Sequence, residues 1–234
     1  EDAIKPLLSR QASDSGPLDI TIELVDGTVT ALDESTDRKW QAEGINITLA
    51  SRGADATIEA HFEANVTGSD AQSGSLVADI AWQHSTDGSG ISPGRGNLTA
   101  EVRRFDLSVL ESLLRRIAPG ISLSGTLGAN VQLDWGAEGE TAIFDAISIG
   151  QLQLVAPQWL GPDRLALQAI NLQARVTRQD EFWQVEDLAV ASDVMNLRAS
   201  GKGVTRTSPL EDLSAVLKDV WQRGEYQVVG YVDV

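Results

Sequence analysis

The side chains that most often do chemistry are few in this chain and poorly placed to do it. His61 and His84 are its two imidazoles, and cysteine is absent. A zinc centre needs three or four His, Cys or carboxylate ligands at close, regular spacing. Neither histidine has such neighbours. His61 falls on the polar side of an alternating stretch, with Glu63 across one residue, and reads as an exposed or hydrogen-bonded side chain. The lack of thiols excludes thiolate catalysis, disulfides and zinc-thiolate sites. No nucleophile elbow, Gly-rich phosphate loop or HExxH occurs, and the GRG at 94–96 and GKG at 201–203 are turn glycines. Carboxylates are numerous but dispersed at alternate outward positions, which is the solvated face of a half-exposed sheet and not a glycosidase pair. QASDSG at 11–16 lacks the regular oxygen spacing of a calcium loop. Asn46, Asn65 and Asn97 each open an N-x-T triplet, a mark of exposure at most. A secreted carbohydrate-binding or hydrolytic β-protein would cluster aromatics and paired carboxylates at loop tips, and only Trp159 and Asp163 hint at that. The expectation is a non-enzymatic chain with no catalytic residue, no metal and no cofactor.

Composition narrows the partners. The formal charge is -16, from 34 acidic and 18 basic residues among 234. Nucleic acid is excluded, because its phosphates need a basic surface, and docking on an anionic bilayer is disfavoured for the same reason. No run reaches the eighteen apolar residues of a membrane span, and no basic-then-apolar signal peptide opens the chain. EDAIKPLLSRQ begins without Met and reads as the start of an excised or processed piece. With 42% hydrophobic residues the chain has ample material for a core.

The apolar residues must be positioned by strands. Residues 96–135 organise the rest. Leu107, Leu110, Leu113, Leu114 and Ile117 recur at helical spacing, behind Asp106 as N-cap and ahead of Pro119-Gly120 as stop. The period then switches to two: Leu123, Gly125, Leu127, Ala129, Val131, Leu133 and Trp135 share one face. That is far longer than a usual strand. Earlier, Leu18, Ile20, Ile22 and Leu24 alternate up to Asp26-Gly27, a hairpin signal with GTVTAL returning as partner. Ile45, Ile47 and Leu49, then Ala56 to Val66, then Leu76 to Trp82, and then Leu98 to Val102 continue the pattern. The loop at 85–96 is rich in Ser, Gly, Asp and Pro.

Beyond Trp135, residues 141–156 predict a strand whose phase shifts at Gly150, and 157–163 a loop. Ile170 to Val176, a tip at 177–181, and the short sets Trp183/Val185, Leu188/Val190 and Met195/Leu197/Ala199 follow. Ser208, Pro209 and Glu211 form a capping box for a second amphipathic helix ended by Gly224, with Tyr226, Val228, Gly230 and Val232 at strand spacing after it. This order of strand, helix and strand echoes the organising segment and predicts an internal repeat. The six tryptophans, Trp40, Trp82, Trp135, Trp159, Trp183 and Trp221, fall mostly at element ends. They suit packing at the margin of a core, with an aromatic rim around an apolar surface as the functional alternative.

The expected fold is mainly β: a long curled antiparallel or mixed sheet carrying two short amphipathic helices. Two helical sites cannot cover both faces of a parallel sheet. Residues 1–105 form a β-rich segment and 106–234 a helix-led unit running into a second helix and strand, the two forming one continuous domain in the alternative division.

FDLSVLESLLRRIAPGISLSGTLGANVQLDW at 105–135 resembles the repeated unit of the AsmA-like and TamB-like bacterial envelope proteins. VEDLAVASDVMNLRASGKG at 185–203 resembles their other recurring phrase, and residues 210–234 would start the next unit. The resemblance covers residues 95–234. It implies a β-groove, shaped like a folded gutter, in the periplasm or cell envelope, with the membrane anchor outside this stretch. It also implies phospholipid transfer or outer-membrane assembly, with lipid acyl chains as cargo. Ile58, Phe62, Val66, Leu127, Val131 and Leu133 would then line the groove, since an acyl chain needs a continuous apolar lane. Neighbouring repeats or a second copy would pair with the exposed sheet edges. The same binary pattern serves a closed core equally well. The alternative function is therefore a structural β-domain or interaction module of a large extracytoplasmic protein, with no lipid cargo.

Overall fold

Period-two alternation over most of the chain leaves each segment with one apolar face and a full set of unpaired backbone groups. Pairing each segment with the next satisfies both at the lowest loop-closure cost. In the computed structural model, which describes residues 19–33, 38–52, 57–68, 73–83, 94–180, 182–204 and 225–232, this happens ten times in succession and joins eleven strands. The elements are β1 (Ile20–Asp33), β2 (Arg38–Arg52), β3 (Thr57–Thr67), β4 (Ser73–Gln83) and β5 (Arg95–Asp106), then helix α1 (Ser108–Ile117). They continue with β6 (Ser122–Gly136), β7 (Gly139–Val155), the four-residue helix α2 (Pro157–Leu160), β8 (Arg164–Gln179), β9 (Phe182–Ser192), β10 (Met195–Val204) and β11 (Glu225–Val232). All eleven strands form one sheet in chain order, and every neighbouring pair is antiparallel.

Three expectations are corrected. The sheet is not mixed, curled or groove-like: it is wholly antiparallel and open, with β1 and β11 as separate outer strands. Nor does it fold over its own apolar face at the ends, since Ile20, Ile22, Leu24 and Val228 stay about half exposed. Alternation dictates which side chains share a face, but curvature depends on how successive bulges and twists add up, which alternation does not encode. The described residues hold one amphipathic helix, α1, where two were expected, and the second, at 208–224, lies outside them. Residues 157–160, expected as loop, form α2 behind Pro157 at its first turn.

The Asp26-Gly27 hairpin is also absent. β1 runs straight through it as a bulge, with the register shifting between Leu24 and Gly27. Asp26 takes a left-handed φ of 55°, and its N–H donates to Asn46 Oδ1 at 2.8 Å. A local turn signal has been overridden by a longer strand pairing. The phase shift expected at Gly150 falls one residue later, at Gln151 with φ 51°.

The core sits at one end of the sheet. Asp106, expected as the N-cap, lies one residue before it: Leu107 is the N-cap and makes no side-chain capping bond, while Asp106, at the end of β5, accepts the Ser108 N–H at 2.8 Å. Leu107, Leu152 and Leu167 are buried together there, beside a second cluster of Ala118, Ile121 and Ala156 under α1 and α2. Glu111 is buried within α1. Its Oε2 is 3.2 Å from Arg38 Nη1 and accepts from Ser122 Oγ and the Leu123 N–H, both at 3.1 Å, while Oε1 pairs with Arg115. The helix is thereby latched to the start of β2 and the start of β6.

The echo expected between the segment around α1 and the segment from β10 to β11 meets a topological limit. Five strand steps separate β6 from β11, an odd number, so in an all-antiparallel meander the two run in opposite directions. The connection after β5 therefore leaves one end of the sheet and the connection after β10 leaves the other. Sliding a unit along the sheet cannot superimpose them.

Candidate functional site: an apolar sheet face and its outer strands

Cross-strand register assembles the alternating residues into rows. Leu24 faces Ile47, and the row continues through Phe62, Ala78, Ala100, Val131, Phe144, Ala174, Leu188 and Ala199 to Val228. It crosses all eleven strands without a charged residue. Ten strand spacings of about 4.8 Å make it roughly 48 Å long. Large and small members alternate from Phe144 to Val228, and Phe62 and Phe144 each have an alanine on one side, Ala78 and Ala174. A second row runs beside it through Ile22, Leu49, Ala60, Ile80, Leu98, Leu133, Ala142, Val176 and Val185.

The six residues expected to line an apolar lane all point to this face and are all half-buried. Phe62 and Val131 share one row. Leu133 lies in the neighbouring row. Ile58 is level with Trp82, Val66 with Ala42 and Gly74, and Leu127 with Phe105 and Ile149. Ile58, Phe62 and Val66 on β3 are separated from Leu127, Val131 and Leu133 on β6 by the whole of β4 and β5.

The margin of this face away from α1 carries tryptophan. Trp82, Gly96 and Trp135 are successive in one row, followed by Glu140, Arg178 and Trp183. Gly96 is required by close approach: a Cβ there would sit 2.5 Å from the Ala81 carbonyl oxygen and 2.8 Å from Trp135 Cε2. Arg178 stacks over the Trp183 ring at 5.5 Å and pairs with Glu140 at 3.1 Å, a cation–π contact backed by an ion pair. The indole N–H groups of Trp40 and Trp183 are buried without an acceptor. Trp159 belongs to α2, and Trp221 lies outside the described residues.

The opposite face is polar. His61 Nδ1 is 2.7 Å from Asp79 Oδ1 on the neighbouring strand, with Glu63 at 4.0 Å from its other nitrogen. That is the surface hydrogen bond its spacing predicts, while His84 lies outside the described residues. Among the described residues no group of three His, Cys, Asp or Glu is close enough to hold a metal ion, and no helix is long and apolar enough to cross a membrane.

Two features were missed in the sequence. Glu111 looks like an ordinary first-turn acid, yet it is the buried anchor of α1. The signal was available, since it lies between Leu110 and Leu113 at the margin of the apolar stripe. The other is the contrast between the two outer strands. Asp19, Thr21 and Glu23 alternate with the apolar residues of β1, whereas Tyr226–Val232 of β11 contains no charge at all.

Among the described residues, fold and surface together define an open antiparallel meander with one apolar face, in which β1 and β11 are the outer strands. No family model matches the chain, no curated protein matches it, and no solved structure matches it.

Proposed function

We propose that this chain is a structural β-module of a larger extracytoplasmic protein, an interaction sheet that carries no lipid cargo and performs no catalysis. One observation carries the reading. Eleven strands form a single unbroken ladder whose outer strands expose apolar side chains, among them Ile22 at 59%, Val29 at 58%, Val229 at 66% and Tyr231 at 68%. Unpaired N–H and C=O groups beside exposed apolar side chains form a template for further strands. Placement outside the cytoplasm rests on the resemblance of residues 95–234 to envelope proteins.

A second reading is favoured by the charge-free row from Leu24 to Val228: passage of phospholipid acyl chains over the same face. Native mass spectrometry with lipid extraction separates the two. The module reading expects a folded, lipid-free chain. Phospholipid that co-purifies and is lost on Leu127→Glu or Val131→Glu, with the fold retained, would replace it with the lipid reading.

A further inference from the structure

The N-x-T triplets at Asn46, Asn65 and Asn97 all stand on the polar face, and the structure separates them. An asparagine that carries a glycan must have its amide free of the fold and leave room for a bulky polar group. Asn46 fails on the first count. Its Oδ1 accepts the Asp26 N–H at 2.8 Å, and its Nδ2 donates to Glu63 Oε1 at 2.5 Å. Asn65 is exposed, and its amide makes no hydrogen bond among the described residues. Its neighbours across the ladder are Glu43 and Ser75, and the register of β2 slips just after Glu43. A Cβ added at Gly44 would come 3.4 Å from Asn65 Nδ2, so glycine keeps that side open. Thr67 follows two residues on, and the period of a strand sets its hydroxyl on the same face as the Asn65 amide. Asn97 is exposed too, but differs in what precedes it. Residues 63–67 read Glu-Ala-Asn-Val-Thr, with a carboxylate two positions before the asparagine, where Gly44 and Arg95 precede Asn46 and Asn97.

Resting on the reading of the chain as part of an extracytoplasmic protein, we propose that Asn65 is the acceptor of an N-linked oligosaccharide. The donor class is a lipid-pyrophosphate oligosaccharide. The transferring enzyme is of the bacterial kind, which pairs a cationic side chain with an acid at the position of Glu63. Asn65 Nδ2 attacks the anomeric carbon, and the bond from that carbon to the pyrophosphate oxygen breaks as the new C–N bond forms. The amide gives up one proton, and the lipid pyrophosphate leaves with the electron pair. Transfer precedes the pairing of β3, because a strand hydrogen-bonded on both sides cannot turn into an enzyme's cleft. The finished sheet then accepts the product without losing a side-chain hydrogen bond at Asn65. A glycan there shields the polar face over β2, β3 and β4 and holds it in water. Ala64 and Val66, on either side of Asn65, point the other way, so the apolar face is left as the side that meets partners.

The test uses the 234-residue chain, exported to the periplasm of bacteria that carry an oligosaccharyltransferase and its lipid-linked donor. An acceptor peptide appended at the C-terminus reports that transfer operates in the same cells. Intact mass should show one oligosaccharide besides that on the appended peptide, and peptide mapping should place it on residues 63–67. Asn65→Gln, Glu63→Gln and Thr67→Ala should each abolish it. Thr67→Ser should retain it, and Asn97→Gln should leave it unchanged. A chain glycosylated on the appended peptide alone, or a second glycan that survives Asn65→Gln, would overturn the proposal and leave the module reading intact. Phospholipid lost on Leu127→Glu would instead overturn the module reading, whether or not Asn65 is modified.

Discussion

Glu111 Oε2 lies 3.2 Å from Arg38 Nη1, tying a helix between β5 and β6 to the start of the second strand. Glu111 is almost fully buried, whereas the Arg38 side chain keeps 39% of its exposure. Removing the acid leaves two guanidinium groups, the Ser122 hydroxyl and the Leu123 N–H without their shared acceptor. Glu111→Ala should therefore destabilise the fold by about 3–5 kcal/mol, the range for breaking a buried pair. Arg38→Ala should cost about 1 kcal/mol or less, because that partner is partly solvated. Urea unfolding of both variants, with hydrogen exchange on α1, measures the difference. Equal losses would contradict the latch.

Gly96 separates Trp82 from Trp135 within one row, where a Cβ would collide with both backbone and indole. Gly96→Val should destabilise by roughly 1–3 kcal/mol, the cost of overpacking a well-packed site. It should also shift the tryptophan emission. Gly150→Ala is the control, since nothing lies within 4 Å of the added carbon.

Asp26 holds a φ of 55°, a region L-residues enter at a cost of roughly 1 kcal/mol. Asp26→Gly should leave stability unchanged or raise it slightly, the relief of strain being offset by glycine's unfolded-state entropy. Asn46→Ala should lower it by about 1 kcal/mol, because the Asp26 N–H loses its acceptor. Thermal unfolding of both variants checks that only Asn46→Ala lowers the midpoint.

Burial raises the Tyr226 phenol above its ordinary range. A raised folded value favours the neutral phenol in the folded state. Its contribution to stability is therefore fully present below about pH 10 and is lost as pH rises through the raised value. In a Tyr231→Phe variant the single remaining tyrosine reports this directly by ultraviolet difference absorption. Titration at or below the free-phenol value would contradict the packing of Tyr226 over Gly201.

Much of the strand content was legible because a half-covered strand has to alternate. Ile58 to Val66, Leu127 to Trp135 and Ile170 to Val176 declared their shared face in the one-dimensional pattern. α1 was legible for similar reasons, since Asp106, the leucine spacing and Pro119-Gly120 are local signals. Asp26-Gly27 misled because a turn dipeptide is also a bulge dipeptide. The pairing of Ile22 with Leu49 and of Val29 with Ala42, on either side of it, chooses the bulge.

The sequence by itself determined the mainly β class, the apolar face and the absence of thiol chemistry, all of which follow from residue types at fixed periods. Tertiary structure decided that the sheet stays open, that eleven apolar residues fall into one row, and that Glu111 is buried while β11 is an outer strand. Those outcomes depend on cross-strand register and on what each strand meets beyond its own neighbours. The period of two is the same for a core, a groove and an open face, so it carries no information about which of them forms.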